Sequence, residues 1–279
     1  MASDPSFMNP LERGWFTPIL WKSLPKLEQP HPHEWQPLRD RFAAARVGNF
    51  SALDDVLDIY HELRDPATRR FALSLLGAAG TDSQLEAVHA YVLDAVFDIT
   101  GSCELCEALA VWGRLSAVEA ILTIYDRHAP GQIAEGLPAY LTTMLESEFG
   151  AAADYPREDE VELYEAYEAG VHDLLRQRCD ELHGPMAYAL HGEEFAVRRL
   201  AERMLALLGS SHYEVMMQPF LRDRFEACTG LDCSDFYRNR EFQPLTTAAR
   251  LEAWLDSSAP ANFKPGVRYF FGIPIPGQI

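Results

Sequence analysis

The residues best suited to chemistry are few and scattered. Cys103-Glu104-Leu105-Cys106 is a CxxC, a spacing used in thiol redox exchange and in half of a zinc site. A redox pair of this type follows a strand in a βαβ unit, whereas this one lies in a stretch of helical pattern. A zinc site needs two more ligands, and Cys228 and Cys233 have a poor spacing for a second pair. The pattern predicts structural thiols. His31-Pro32-His33 is the one close histidine pair, and it lies among prolines. His61-Glu62 lacks the second histidine of HExxH. His183 and His191 would stand two turns apart on a continuous helix, but Gly184-Pro185 interrupts them. There is no GxxxxGK[ST] phosphate loop, no GxGxxG after a strand and no GxSxG elbow. No catalytic residue, metal ligand set or cofactor motif is identified.

One acidic cluster stands out. Asp154, Glu158, Asp159, Glu160, Glu162, Glu165 and Glu168 face Arg157 alone, with Tyr155, Tyr164 and Tyr167 interleaved. Two readings fit. Acids suit the positive end of a helix dipole, with the tyrosines in the core. Alternatively, the acids form a patch for a basic protein, with tyrosines as contact anchors. The candidate partner-binding residues are then Asp154, Tyr155, Glu158, Asp159, Glu160, Glu162 and Glu165. The spacing is not that of an EF-hand loop, which needs a central glycine and alternating oxygens.

Composition narrows the classes. The 279 residues carry 42 Asp+Glu against 24 Lys+Arg, a formal net charge of −18. Phosphate neutralisation needs a basic face, so nucleic acid is disfavoured as a partner, and so is an anionic membrane surface. Hydrophobic residues at 48% supply a sizeable core. No run of about 18 apolar residues occurs, as a membrane span would need. The start lacks a basic region followed by an apolar one, so a cytoplasmic location with reduced cysteines is expected.

The elements that would position these residues read as helices. Residues 1–37 contain Pro5, Pro10, Pro18, Pro25, Pro30, Pro32 and Pro37 and predict an extended arm packed on the body through Trp15, Phe16 and Trp21. From 38 onward apolar stripes recur at helical spacing. They include Leu53, Val56, Leu57, Tyr60 and Leu63; Leu85, Val88, Val92 and Val96; Leu115, Val118, Ile121, Leu122 and Tyr125; and Leu200, Met204, Leu207 and Leu208. The class is all-α. Ser51, Ser83 and Ser116 each precede a stripe with an acid three residues on, which predicts three N-caps one structural unit apart. A helix pair repeating on that scale is the mark of an α-solenoid.

Asp65-Pro66-Ala67-Thr68-Arg69-Arg70-Phe71-Ala72 and Glu194-Phe195-Ala196-Val197-Arg198-Arg199-Leu200-Ala201 resemble the second helix of HEAT repeats. The resemblance covers 38–210 and implies a HEAT-like α-solenoid of stacked helix pairs. Residues 211–279 are expected to hold C-terminal helices and an extended cap, with Phe225 to Gly230 ending one helix and Thr246 to Leu255 forming another. The tail from Phe263 to Pro276 would close the last helices, and it resembles the ending of bacterial HEAT-like immunity proteins encoded beside polymorphic toxins. These resemblances imply a non-catalytic protein-binding module, specifically an immunity protein that occludes a basic toxin domain. The alternatives are a scaffold or adaptor for a basic host protein and a HEAT-like enzyme such as a lyase or glycosylase.

Overall fold

The computed structural model describes residues 32–94, 99–127, 138–146, 163–209, 218–238 and 241–277. They are mostly helical, and strand occurs only in short two-stranded hairpins. The N-terminal arm lies outside the described residues, apart from its end. There the first helix, α1 (Pro32–Ala45), begins ahead of the expected boundary and carries Pro37 inside it. The helix holds because Trp35, Leu38, Phe42 and Ala45 form one buried stripe, which offsets the hydrogen bond that Pro37 does not make.

A 3-10 turn (Phe50–Leu53) leads to α2 (Val56–Glu62), α3 (Pro66–Ala79), α4 (Asp82–Asp94), α5 (Ile99–Trp112), α6 (Ala117–Asp126) and α7 (Pro138–Leu145). Helices α1, α3, α5 and α7 pack side by side in that order, α4 packs on α6, and α2 leans on α3. Two glycines near the end of α3 play different roles. Gly77 lies inside α3, where an added Cβ would meet Ala108 Cα of α5 at 2.9 Å, so its role is close approach. Gly80 does close α3.

The expected serine caps shift. Ser51 lies within the 3-10 turn and bonds Asn49 Oδ1 at 2.9 Å. At α4 the capping box is two residues upstream of Ser83. Thr81 N donates to Gln84 Oε1 at 2.8 Å, and Gln84 N donates back to Thr81 Oγ1 at 3.4 Å. Ser116 does precede α6, but its side chain makes no cap bond. A threonine answered by a glutamine satisfies the orphan donors of α4, so the serine is left exposed on its first turn.

The second half contains α8 (Tyr164–Glu181), a hairpin of β1 (Ala189–Leu190) and β2 (Glu193–Glu194), α9 (Val197–Ala206), α10 (Gln218–Thr229), a hairpin of β3 (Tyr237–Arg238) and β4 (Glu241–Phe242), α11 (Pro244–Leu255), and a hairpin of β5 (Tyr269–Phe270) and β6 (Ile273–Pro274). Helix α10 packs against α9, β5 and α3, and α9 packs on α11. Ala189 pairs with Glu194, and Tyr269 pairs with Pro274. Both hairpins turn on two residues with positive φ, His191-Gly192 and Phe271-Gly272, the signs of a type I′ turn.

The tail was expected to cover the last helices. It folds as the β5–β6 hairpin, bonds to α10 from Phe271 N to Ala227 O and from Gly272 N to Cys228 O at 2.7 and 2.8 Å, and also reaches the first helices. Phe270 and Phe271 set their rings edge-on to Phe42 of α1, at centroid distances of 6.0 and 5.8 Å. Arg268 donates to the carbonyls of Gly80 and Gly77 at the end of α3, at 2.8 and 2.5 Å. A guanidinium there satisfies orphan carbonyls and suits the negative helix end.

Candidate functional site

Helix α10 is buried over most of its circumference, yet it carries charge. Arg222, Arg224 and Glu226 are nearly inaccessible, at 1%, 4% and 2%. Asp223 keeps 29% of its side chain open. Gly230, at φ +70°, ends the helix. Buried charge is expensive unless it is paired or neutralised, so such a helix is where chemistry is best sought. The charges divide into two poles.

The acidic pole faces α3, α5 and α7. Arg222 lies over the Tyr237 ring at 5.1 Å and donates from Nε to Asp223 Oδ1 at 3.0 Å. Burial pushes the Asp223 carboxyl up to about 6, against the pull of Arg222, with the Glu107 charge adding to the rise. Burial and then the Asp223 charge push Glu226 up to about 8. Glu226 Oε2 has no hydrogen-bond partner. Arg70 of α3 binds Glu107 of α5 at 2.9 Å, with 24% and 17% of these side chains exposed. Tyr140 of α7 is buried nearby, and its hydroxyl is pushed up by burial and by Glu107. The pole therefore holds two carboxyls that keep protons toward neutrality beside a partly open ion pair, a set suited to general acid–base work.

The basic pole faces the β1–β2 hairpin and α9. The Arg224 guanidinium lies over the Phe195 ring at 4.4 Å, and its Nη1 and Nη2 have no hydrogen-bond partner. A Cβ on Gly113 would sit 2.7 Å from Nη2 and 3.0 Å from Ala189 O. Burial, reinforced by Arg268, pulls Arg224 down to about 10. His191 turns the hairpin at φ +51°, with Nδ1 3.3 Å from Glu146 O. Burial, Arg203 and Arg224 pull its imidazole down to about 3. Asp82, a nearby carboxylate, is already engaged. It accepts from Trp112 Nε1 at 2.9 Å and from Tyr188 Oη, and it lies 3.2 Å from Arg114 Nη2.

Of the residues the sequence singled out, Asp154, Tyr155, Glu158, Asp159, Glu160 and Glu162 lie outside the described residues. Glu165 is exposed on the first turn of α8, and Tyr167 is buried behind it. Cys103 and Cys106 sit one turn apart on α5. Burial raises the Cys106 thiol well above its ordinary range, which suppresses the thiolate that redox exchange needs. All five cysteines are free thiols. Among the described residues no cluster of three or more His, Cys, Asp or Glu side chains is placed to hold a metal ion. The charged run of α10 escaped the sequence reading, which saw only a helix end there. Its signal was Arg222-Asp223-Arg224 and Glu226 crowded beside the apolar stripe of Leu221, Phe225 and Cys228.

A second feature lies on the surface. An open depression of about 340 Å3 between α1 and the 3-10 turn is lined by Asp40, Arg41, Ser51, Ala52, Asp54 and Asp55. Arg41, its one cation, donates from Nε to Asp55 Oδ1 at 2.8 Å, which leaves Asp40 and Asp54 as the net charge. No protein-family model matches the sequence, and neither a curated protein nor a solved structure matches it.

Proposed function

We propose that this chain is a non-catalytic protein-binding module, a HEAT-like α-solenoid that takes a basic partner, and more specifically a bacterial immunity protein that occludes a toxin domain. The observation that carries this reading is the acidic depression between α1 and the 3-10 turn, set in a chain of net charge −18. Its volume accepts a lysine or arginine side chain, and its lining supplies carboxylates that Arg41 neutralises only at Asp55. Complementary charge of this kind steers association and selects the partner. The side-by-side order of α1, α3, α5 and α7, with α4 on α6, supports the stacked-pair architecture.

The test is capture from native lysate at low salt with the tagged chain, followed by identification of the bound protein. A single stoichiometric basic partner, toxic when expressed alone and harmless when co-expressed, is expected. Reversing Asp40 and Asp54 to lysine should weaken its binding and flatten the salt dependence. Unchanged affinity would remove the depression from the interface.

One observation favours a second reading, that of a helical-repeat enzyme. Asp223 and Glu226 offer an acid–base pair beside the partly exposed Arg70–Glu107 pair. Turnover that falls on Asp223→Asn with binding retained would replace the binding-module reading.

A further inference from the structure

Arg224 sets the problem. A guanidinium does not shed its proton at working pH, so burying it requires a counter-charge or a full set of acceptors. Arg268, its buried neighbour, has two carbonyls for that purpose. Arg224 has the face of Phe195 and nothing at either terminal nitrogen. Two other buried polar atoms, on residues whose charges interact around His191, are also without partners, Nε2 of His191 and Nε of Arg203. The elements bring the three together. Helix α9, which carries Arg203, packs along α10, and Arg224 Nη2 reaches the Gly113–Ala189 contact, two residues from His191 on the same hairpin. The charges that act on His191 are those of Arg203 and Arg224, both positive. The imidazole is also held in an unusual place. A buried non-glycine residue at φ +51° sits where such hairpin turns favour asparagine or glycine.

We propose that Arg224, His191 and Arg203 form a buried receptor for one small oxyanion of the phosphate class. The chemistry selects the class. Two guanidiniums repel any metal ion, and Arg224 Nη1 and Nη2 with Arg203 Nε offer N–H donors of the kind that bind tetrahedral oxyanions. His191 Nδ1 faces a carbonyl, which fixes a proton there and leaves Nε2 to take one from solvent when an anion arrives. With Arg224 only 4% exposed, a partner's side chain has no route to the site, so its ligand is a small free anion. This site is separate from the acidic depression, and neither reading depends on the other.

The probe is inorganic phosphate, with sulfate as the tetrahedral isostere and chloride at matched ionic strength as the control. The melting temperature of the full chain should rise with the logarithm of phosphate or sulfate concentration and stay level in chloride. Calorimetry in buffers of different ionisation enthalpy should show proton uptake on binding, with the His191 ring nitrogens moving to the doubly protonated state. Arg224→Met should abolish the rise. Because that change alters the core, His191→Asn supplies the second arm, since asparagine accepts the left-handed turn. It should fold normally and bind phosphate about ten-fold or more weakly. A wild-type chain that responds to phosphate no more than to chloride, or a phosphate response that survives both substitutions, overturns the proposal.

Discussion

The two sides of α10 meet the same difficulty with different resources. Both bury ionisable groups on a single helix, and both draw contacts from distant parts of the chain. On the acidic side the groups can discharge themselves. Asp223 and Glu226, pushed up to about 6 and 8, hold protons as pH approaches neutrality, and Arg222 covers what charge remains. On the basic side Arg224 has no such exit, because even pulled down to about 10 it stays charged at neutral pH. A buried carboxyl can settle its cost with a proton from water. A buried guanidinium must be given acceptors, as Arg268 is by Gly77 and Gly80.

The largest effect should come from taking those acceptors' partner away. Arg268→Ala leaves two carbonyls at the end of α3 without donors and cuts the hairpin loose from α1 and α3. A loss of about 3–5 kcal/mol is expected in chemical denaturation, with Phe42 becoming accessible. A loss below about 1 kcal/mol would mean that the hairpin is held by its aromatic contacts and its backbone bonds to α10 rather than by Arg268.

The second effect separates the poles by pH. A carboxyl whose folded pKa is raised stabilises the fold below its unfolded value, and that contribution is lost as pH rises through the folded value. For Glu226 the window runs from about 4.5 to about 8. Wild-type stability should therefore fall across that range, by an amount on the order of a few kcal/mol. Glu226→Gln should flatten the upper part of the curve, as measured by urea midpoints at a series of pH values. A wild-type curve already flat between 6 and 8 would place Glu226 in contact with water.

These poles were the least legible part of the sequence, for a physical reason. Apolar stripes announce themselves within a few residues, so Leu85, Val88 and Val92, or Val118, Ile121 and Tyr125, could be assigned to helix faces, and all of them are buried. A charge announces nothing until its partners are known. Glu107 reaches back to Arg70, and Arg268 reaches Gly80 across 188 positions. The hairpin's seat on α1 is equally non-local, so the tail read as a cover for the last helices alone. Pro37 misled locally, because three buried side chains later in α1 outweigh one missing hydrogen bond. The acidic cluster from Asp154 to Glu162 lies outside the described residues, so the candidate site passed to side chains that no motif marks.

A smaller effect, with the opposite sign, should follow from removing the group that lacks acceptors. Arg224→Met replaces an unsatisfied guanidinium with an apolar chain that keeps the contact with Phe195. In phosphate-free buffer this variant should be at least as stable as the wild type, by up to about 2 kcal/mol. Arg268→Ala and Arg224→Met then bracket the rule: deleting a satisfied buried arginine costs stability, and deleting an unsatisfied one does not. Equal losses for both would show that Arg224 finds acceptors in solution.

The smallest effect tests whether the acidic pole titrates as a unit. Below about pH 6 Asp223 is protonated and asparagine matches its shape, so Asp223→Asn should change stability there only slightly. Its effect belongs instead to Glu226, because the Asp223 charge is the second cause of that group's rise, after burial. With asparagine in place the remaining carboxyl should ionise at lower pH, and the upper limb of the stability curve should move down with it. The folded value sets both where the limb ends and how far it falls, so the limb should end at lower pH and fall less. A midpoint that stays in place would mean that burial alone sets Glu226, and that the two carboxyls of α10 are neighbours without being a pair.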